Sequence, residues 1–377
     1  MELQPHGIDA PPDQDAGDPE LVELIRSEIE SSGPITFARF MHRALYEPAL
    51  GYYATSGDRP TRAGDFLTAP EMHPIFGWAL ARQVNEMWSR LGSPPDFVLR
   101  EFGAGTGAIG DAVREGLTRD ESQLSAVLRY EPVEIEGRLP RVGTSGRIVG
   151  VVIGNEFLDA LPVHRVVRQG TDLRELYVGW SGGRFVEVSG ELSDERLRDR
   201  FERDRVELPE GHQAEVCLQM ADWLAEASHD LQRGYVLLID YGLAQAELRS
   251  AARASGTLRA FRGQHVSSDV LSGAGRQDIT AHVDLDALEV EARAAGFEVL
   301  GRTTQAEFLM GCGLDEIYQA AKADADREWE PALLLRSAVR RLLDPLHLGA
   351  YSVVILAKQA VAEPPLSGLG YLMPRPA

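Results

Sequence analysis

The spacing of apolar residues changes from helical to strand-like near residue 93. Apolar side chains recur every three or four positions over 21–29 and again over 76–88, the spacing of amphipathic helices. A second predicted helix starts at 34–36 and carries Phe37, Phe40 and Met41, and the stretch from Glu47 to Phe66, dense in Gly and Pro, indicates a loop. The pattern predicts an N-terminal helical region over 20–92, preceded by a disordered acidic tail over 1–19.

Beyond residue 93, short apolar runs alternate with helical segments, a pattern typical of α/β proteins with a mostly parallel sheet. The alternation predicts a core formed by 93–162 and 213–362, followed by a C-terminal tail over 363–377. Residues 163–188 depart from it, because three apolar runs there are separated by Gly-containing turns. They predict an antiparallel β meander within an inserted β/α element over 163–212, on the substrate side of the core. The predicted core strands are 97–101, 126–131, 148–153, 235–240, 297–300 and 351–357.

A glycine-rich turn joins the first predicted core strand to the helix that follows it. The turn reads EFGAGTG from Glu101 to Gly107. Glycines let backbone N–H groups approach a ligand closely, and a helix N-terminus adds favourable partial charge. Because Gly105, Gly107 and Gly110 also fit the dinucleotide spacing, the turn by itself leaves an NAD-dependent oxidoreductase open beside a methyltransferase.

Acidic residues end the predicted strands around this turn. Glu101 precedes the first glycine, where a carboxylate suits a ligand with an ammonium group and would repel a pyrophosphate. Glu131 ends the next strand and can accept ribose hydroxyls, a device that NAD sites share. The third strand leads into Asn155, Glu156 and Asp159, at the edge where ligands of open α/β sheets bind. These side chains are candidates to hold a nitrogen nucleophile, since carboxylates match the five-donor fork of a guanidinium.

Composition narrows the choice of partners. Acidic residues outnumber basic ones, 58 to 38, and the net charge of −20 disfavours nucleic acid and attracts a basic protein. No apolar run reaches the ~20 residues needed to cross a bilayer, so no membrane association is expected. Cys217 and Cys312 are too far apart in sequence to form a disulfide framework or a CxxC metal site. Without a signal or transit peptide pattern, these features predict a metal-free cytoplasmic protein, for which a basic protein is an easier partner than nucleic acid.

Several segments, in this order over roughly 34–310, resemble the MidA-like methyltransferases, a family that includes the mitochondrial complex I assembly methyltransferase. A generic Rossmann-like protein gives no reason for these segments to occur together. They are Gly51-Tyr-Tyr53, Gly64-Asp65-Phe66-x-Thr68-x-Pro70-Glu71, the turn at 101–107, Asn155-Glu-Phe-x-Asp-Ala-Leu-Pro-Val163, Ile239-Asp-Tyr-Gly242 and Gln277-Asp-Ile-Thr-Ala-His-Val-Asp284.

The resemblance implies a Rossmann-like class I methyltransferase sheet whose last strand is antiparallel. It also implies S-adenosyl-L-methionine as the methyl donor and a protein arginine as the acceptor. The segment from Gly64 to Glu71 would cover the site as a lid. The residues expected at the cofactor are Glu101, Gly103, Ala104, Gly105, Gly107, Glu131 and Asn155. Those expected at the lid and the substrate are Gly64, Asp65, Phe66, Thr68, Pro70, Glu71, Asp240, Tyr241 and His282.

The catalytic residues predicted from the sequence are Asn155, Glu156 and Asp159. Glu156 and Asp159 would orient the acceptor, and Asn155 would contact the acceptor or the donor. Asp240 and Tyr241 would line the acceptor channel. His282 is expected to be a hydrogen-bonded structural residue rather than a base, because methyl transfer depends mainly on positioning.

The link between Glu131 and Val149 is short for this fold. Seventeen residues join these two predicted strands, whereas a complete strand–helix–strand passage needs ~30. We therefore expect the edge strand after Glu131 to be reduced or missing, with fewer contacts to adenine. The same shortening motivates an alternative function, an assembly factor that binds the donor but has little or no turnover.

Overall fold

The computed structural model describes residues 17–55, 69–134, 146–204, 207–263, 265–325 and 329–373. Its helices are α1 Pro19–Ser32, α2 Phe37–Tyr46, α3 Tyr52–Thr55, α4 Ala69–Met72, α5 Ile75–Arg90, α6 Ala108–Arg119, α7 Glu195–Asp204, α8 Gln219–Asp230, α9 Gln245–Leu248, α10 Leu285–Ala294, α11 Gln305–Gly311, α12 Leu314–Ala325 and α13 Trp329–Leu342. Its strands are β1 Ile35–Thr36, β2 Phe97–Phe102, β3 Leu128–Val133, β4 Ile148–Asn155, β5 His164–Gln169, β6 Asp172–Ser181, β7 Arg184–Gly190, β8 Gln213–Val216, β9 Leu231–Asp240, β10 Gly242–Leu243, β11 Arg259–Arg262, β12 His265–Ser267, β13 Asp278–Thr280, β14 Val283–Asp284, β15 Glu298–Thr304 and β16 Ser352–Lys358.

The central sheet has the order β15-β16-β9-β4-β2-β3. Strands β3, β2, β4 and β9 are parallel to one another, and β16 runs antiparallel between β9 and β15. Helices α5 and α6 cover one face of the sheet, and α8 and α10 cover the other. Because side chains on both faces are buried, β4 and β9 contain the apolar runs 148–153 and 235–239. The predicted Rossmann-like sheet with an antiparallel last strand is confirmed.

Strand β3 is the edge of this sheet among the described residues. Its register pairs Glu101 of β2 with Pro132 and Phe102 with Val133. No further strand pairs with β3 in the part of the chain that the structure describes, as the short link predicts. Residues 135–145 lie outside the described residues.

The inserted segment forms a second, antiparallel sheet. Strands β5, β6 and β7 form the predicted meander, and β8 and β1 extend it along β5 and β6. Helices α1 and α2 pack on this sheet through an apolar cluster that includes Phe37 and Phe40. The N-terminal helices are thereby joined to the insertion, a long-range pairing that local apolar spacing does not reveal.

Both ends of the described chain are attached to the fold. Asp18 caps α1 by accepting the backbone N–H of Glu20 and Leu21, and its own N–H donates to the Ala274 carbonyl at 2.8 Å. Near the C-terminus, Leu366 is fully buried, and the Gly368 N–H donates to Oε1 of Gln83 at 2.9 Å. Residues 17–19 and 363–373, which the sequence assigned to tails, therefore make specific contacts.

Candidate active site at the carboxyl edge of the central sheet

A cavity of about 1110 Å³ opens at the carboxyl ends of β2, β4 and β9. Parallel strands place their ends at one edge, so residues distant in sequence meet there. Two small sheets, β10 with β14 and β11 with β12 and β13, form part of its wall. The sequence-predicted residues that line it are Pro70, Glu71, Glu101, Gly103, Ala104, Asn155, Glu156, Asp159, Tyr241 and His282.

The other predicted site residues lie elsewhere. Gly105 and Gly107 belong to the turn beside the cavity, and Glu131 and Asp240 are held in hydrogen bonds outside the lining. The lid residues Gly64, Asp65, Phe66 and Thr68 lie outside the described residues.

The glycine turn has a backbone that other residues adopt only with strain. Gly103, Gly105 and Gly107 have φ values of 68°, 56° and 78°, in the left-handed region. Gly110 has a different reason to be glycine, because a Cβ there would lie 2.4 Å from Cζ of Tyr130. Gly110 therefore allows α6 to pack closely on β3 and has no part in choosing a ligand. For this reason the spacing of Gly105, Gly107 and Gly110 does not distinguish an NAD site from a methyltransferase site.

Glu101 is a buried carboxyl at the end of β2. It is 3% exposed, and its Oε2 accepts a 2.6 Å hydrogen bond from the Tyr130 hydroxyl. Burial raises the pKa of Glu101 to about 7, partly opposed by the Tyr130 hydrogen bond and reinforced by Glu134. A cationic group bound in the cavity would favour its ionised form.

Glu131 does not occupy the position that the sequence predicted for it. Oε2 of Glu131 accepts hydrogen bonds from the buried Arg100 guanidinium at 2.8 and 3.0 Å, and Arg129 pairs with its other oxygen. The strand continues to Val133, so the acid at its carboxyl end is Glu134. Its carboxylate accepts the backbone N–H of Gly105 in the glycine turn. Glu131 is thus held in ion pairs away from the cavity lining, whereas Glu134 contacts the glycine turn.

The end of β4 and the loop after it carry the three predicted catalytic residues into the cavity wall. Glu156 has a φ of 48°, unusual for a residue with a side chain, and its N–H donates to the Ile239 carbonyl at 2.8 Å. Asn155 is 9% and Asp159 4% exposed. Oδ1 of each has no hydrogen-bond partner among the described residues. Two buried acceptor atoms thus remain for a ligand with several donors.

Asp240 supports this loop from beneath. Its Oδ2 accepts the backbone N–H groups of Phe157, Leu158 and Asp159 at 3.1, 2.8 and 3.3 Å, and its Oδ1 accepts that of Tyr241 at 2.9 Å. It is 4% exposed and does not line the cavity. Asp240, predicted to line the acceptor channel, instead lies beneath the loop, with both carboxylate oxygens accepting backbone N–H groups.

Tyr241 and His282 do line the cavity. The Tyr241 hydroxyl donates to Oδ2 of Asp159, and its ring meets those of His282 and Tyr351, each at 5.4 Å between centroids. Burial, with Arg253 and Arg259 nearby, lowers the pKa of His282 to about 4. His282 is therefore neutral near pH 7 and a weak base, and its ring Nδ1 has no hydrogen-bond partner among the described residues, unlike the hydrogen-bonded residue that the sequence predicted.

Several cavity residues carry no local sign of function in the sequence. Tyr53 and Asp278 are joined by a 2.9 Å hydrogen bond from the tyrosine hydroxyl to Oδ1 of the acid. Arg340, Arg341 and Tyr351 come from the C-terminal part of the chain. Tyr53 and Asp278 lie in the segments 51–53 and 277–284, and the family resemblance of these segments was the one sequence signal for this pair.

Known proteins with arginine methyltransferase names are similar over most of the chain. "Protein arginine methyltransferase NDUFAF7, mitochondrial" of Danio rerio is 28% identical over 91% of this chain and 89% of its own length. The Mus musculus protein of the same name is 28% identical over 85% and 80%. Both names contradict the predicted cytoplasmic location. That prediction relied on the composition of residues 1–19, and composition of this kind does not determine the compartment of a protein.

One solved structure is similar throughout. A protein from Burkholderia thailandensis, solved bound to S-adenosyl-homocysteine, has a TM-score of 0.78 and 28% identity, covering 93% of this chain and 94% of its own. None of the helices in the described part of the chain combines the length and the apolar character of a membrane span. A family described as S-adenosyl-L-methionine-dependent methyltransferases matches residues 79–144 and 141–303. The chain belongs to this family, and S-adenosyl-L-methionine is its methyl donor.

Proposed function

We propose that this methyltransferase transfers a methyl group to an arginine side chain of a protein. The observation that carries the proposal is the pair of buried acceptor atoms, Oδ1 of Asn155 and Oδ1 of Asp159, in the cavity wall. A guanidinium presents five N–H donors in a planar fork and can satisfy both atoms at once. The arginine methyltransferase names of the relatives support the same acceptor.

The donor would lie along the glycine turn. The buried Glu101 carboxylate fits a cationic ligand, and the left-handed turn at Gly103 to Gly107 leaves room for close backbone approach. Glu134, at the end of β3, is the acid in position for ribose hydroxyls, since it already contacts the turn. S-adenosyl-L-methionine, when bound, supplies a methyl group on a positively charged sulfur.

The acidic wall would orient the acceptor nitrogen and accept its proton. The C–S bond breaks with its electron pair left on sulfur, a C–N bond forms, and the nitrogen loses one proton. Glu156 and Asp159 line the cavity, and burial together with these two acids raises the pKa of Asp240 beneath them. Carboxylates on one side of a guanidinium localise its positive charge there, which leaves electron density on the nitrogen that faces the donor.

The test is methyl transfer from tritiated S-adenosyl-L-methionine into lysate of a strain lacking this protein. We expect label in one or few proteins and, after hydrolysis, in methylarginine. Asp159→Asn should abolish transfer while calorimetry shows donor binding within about 3-fold of wild type. Asp199→Asn, an exposed acid on α7, is the matched control and should be fully active.

Other outcomes separate the alternatives. Label in methyllysine or another amino acid would contradict an arginine acceptor. Donor binding without label in any protein would favour the assembly factor with little or no turnover. Binding of NADH rather than S-adenosyl-homocysteine in a fluorescence titration would contradict both.

A further inference from the structure

We propose that the exposed face of α13 binds a segment of the substrate protein that carries apolar side chains and carboxylates on either side of the methylated residue. The inference rests on the proposed protein acceptor and deepens it, because it states what the substrate must carry besides that residue. The α13 face comprises Trp329, Leu333, Leu334, Arg340 and Arg341 of the helix and Leu346 of the turn that follows it.

Exposed apolar side chains are concentrated on this face. Nine large apolar side chains are exposed in the described part of the chain, and four of them lie within 329–346. Their exposed fractions are 78, 58, 56 and 85% for Trp329, Leu333, Leu334 and Leu346. The other side of α13 already packs on the core through Leu335 and Leu342. Grouped exposed apolar residues, unlike scattered ones, are typical of protein interaction sites.

The α13 face continues into the cavity. Arg340, Arg341 and Leu346 line the cavity mouth. Leu333 lies seven residues before Arg340, and Leu334 lies seven before Arg341, so each pair is on one side of the helix. Two helical turns separate the members of a pair by about 10 Å, which roughly three residues of an extended peptide can span. A substrate segment with one residue in the cavity can therefore reach the two leucines.

The arginines of the face are available to carboxylates. Both guanidinium groups are exposed, and neither Arg340 nor Arg341 forms an ion pair with another described residue. Asp344, the nearest acid along the chain, contacts its own turn instead. Its Oδ1 accepts the Leu346 N–H at 2.9 Å, and its Oδ2 lies 3.0 Å from Nδ1 of His347. Two unpaired cations beside exposed leucines match a segment in which acids and apolar residues alternate.

Charge disfavours other occupants of the α13 face. In a two-fold contact between copies of this chain, the same patch meets itself, so Arg340 and Arg341 would face a basic surface. An anionic membrane would be repelled by the net charge of −20. A substrate segment with carboxylates meets neither obstacle.

The experiment measures peptide binding to the full-length protein saturated with S-adenosyl-homocysteine. The probe is Phe-Gly-Gly-Asp-Gly-Arg-Gly-Asp-Gly-Gly-Phe, in which the order of residue types is the same in both chain directions. One comparison peptide has Asn in place of both Asp, and the other has Ser in place of both Phe. We expect wild type to bind the probe about 3–10-fold more tightly than the Asn peptide and about 10-fold more tightly than the Ser peptide.

Two double variants assign these preferences to the α13 face. Arg340→Gln/Arg341→Gln should remove the preference for Asp over Asn and keep that for Phe over Ser. Leu333→Ser/Leu334→Ser should show the opposite pattern, because charge and apolar contacts act at separate positions. The matched controls change exposed residues outside the cavity and should keep both preferences; they are Arg184→Gln/Arg198→Gln and Val188→Ser/Val290→Ser.

Donor binding and assembly state exclude other roles of the face. The dissociation constant of S-adenosyl-homocysteine should stay within about 3-fold of wild type in every variant. Weaker donor binding in the arginine variant would assign these residues to the donor and overturn the inference. A dimer that dissociates in the leucine variant, with both peptide preferences intact, would make the face a contact between copies. Binding of wild type, but not of the leucine variant, to phosphatidylserine vesicles would assign it to a membrane.

The peptide series also separates this inference from the proposed function. Arginine methylation by wild type together with equal affinities for all three peptides would overturn the inference alone. Label in an amino acid other than arginine, with both peptide preferences intact, would overturn the arginine acceptor and support the α13 face.

Discussion

The Tyr130 hydroxyl and the Glu101 carboxyl are joined by a 2.6 Å hydrogen bond that links β3 to the end of β2. The Tyr130 ring occupies the space that a side chain at Gly110 would need. Three residues from two strands and a helix thus form one unit under the glycine turn. The protonation state and position of Glu101 depend on all three.

Donor affinity should depend on pH through Glu101. Its pKa of about 7 means that the carboxyl is largely neutral at pH 6 and largely ionised at pH 7.5. Binding of a cationic donor should therefore be roughly ten-fold tighter at the higher pH. Calorimetry across this range measures the effect. Glu101→Gln should bind weakly at both values, and an equal pH dependence in this variant would contradict the assignment.

The same carboxyl should reduce the stability of the ligand-free protein at high pH. A carboxyl whose folded pKa lies above its unfolded value binds more protons when folded, so its contribution to stability is full below about pH 4.5 and is lost as pH rises to about 7. Glu101→Gln should then be more stable than wild type at pH 8, by up to about 3 kcal/mol, and similar to it near pH 5. Thermal unfolding at both pH values tests this. Glu226→Gln, an exposed site on α8, should show no such difference.

Neutralising Glu131 should lower stability, whereas neutralising Glu134 should lower donor affinity. Glu131→Gln leaves the buried Arg100 with one fewer anionic partner, so unfolding free energy should fall by about 2–4 kcal/mol with little change in donor affinity. Glu134→Gln should leave stability nearly unchanged and weaken donor binding roughly ten-fold. The reverse pattern would restore Glu131 as the ribose-binding acid.

Asp240 should behave as a structural residue. Asp240→Ala removes the acceptor of four backbone N–H groups and should lower the unfolding free energy by roughly 3–5 kcal/mol. Asp240→Asn keeps one acceptor oxygen, so its unfolding free energy should fall by less than that of Asp240→Ala. Denaturant unfolding measures both. A stable Asp240→Ala protein with weakened acceptor binding would show that the side chain contacts the acceptor after all.

Gly110 should be intolerant of a methyl group because of Tyr130. Gly110→Ala should cost about 1–3 kcal/mol of stability and weaken donor binding, since the ring must move away from Glu101. The control is the same substitution in a Tyr130→Ala background, where the space is free and the additional loss should be small. Equal losses in both backgrounds would point to a cause other than this packing.

The sequence by itself determined the sheet, the meander, the glycine turn and the polar loop from Asn155 to Asp159. These features depend on short-range patterns, because burial on both faces of a parallel strand and the φ values of a turn restrict residue types locally. The family resemblance identified the donor on the same local motifs. The strands 97–102, 148–155 and 231–240 contain the apolar runs 97–99, 148–153 and 235–239.

Only the tertiary structure decided which polar side chains reach the cavity. Side chains at successive strand positions point to opposite faces, so Glu131, within β3, pairs with Arg100, whereas Glu134, just after β3, contacts the glycine turn. Asp240 and Tyr241 are neighbours in sequence, yet one binds backbone N–H groups and the other lines the cavity. The contact of Tyr53 with Asp278 spans 225 residues. Such pairings depend on register and packing between distant segments, which no local pattern encodes.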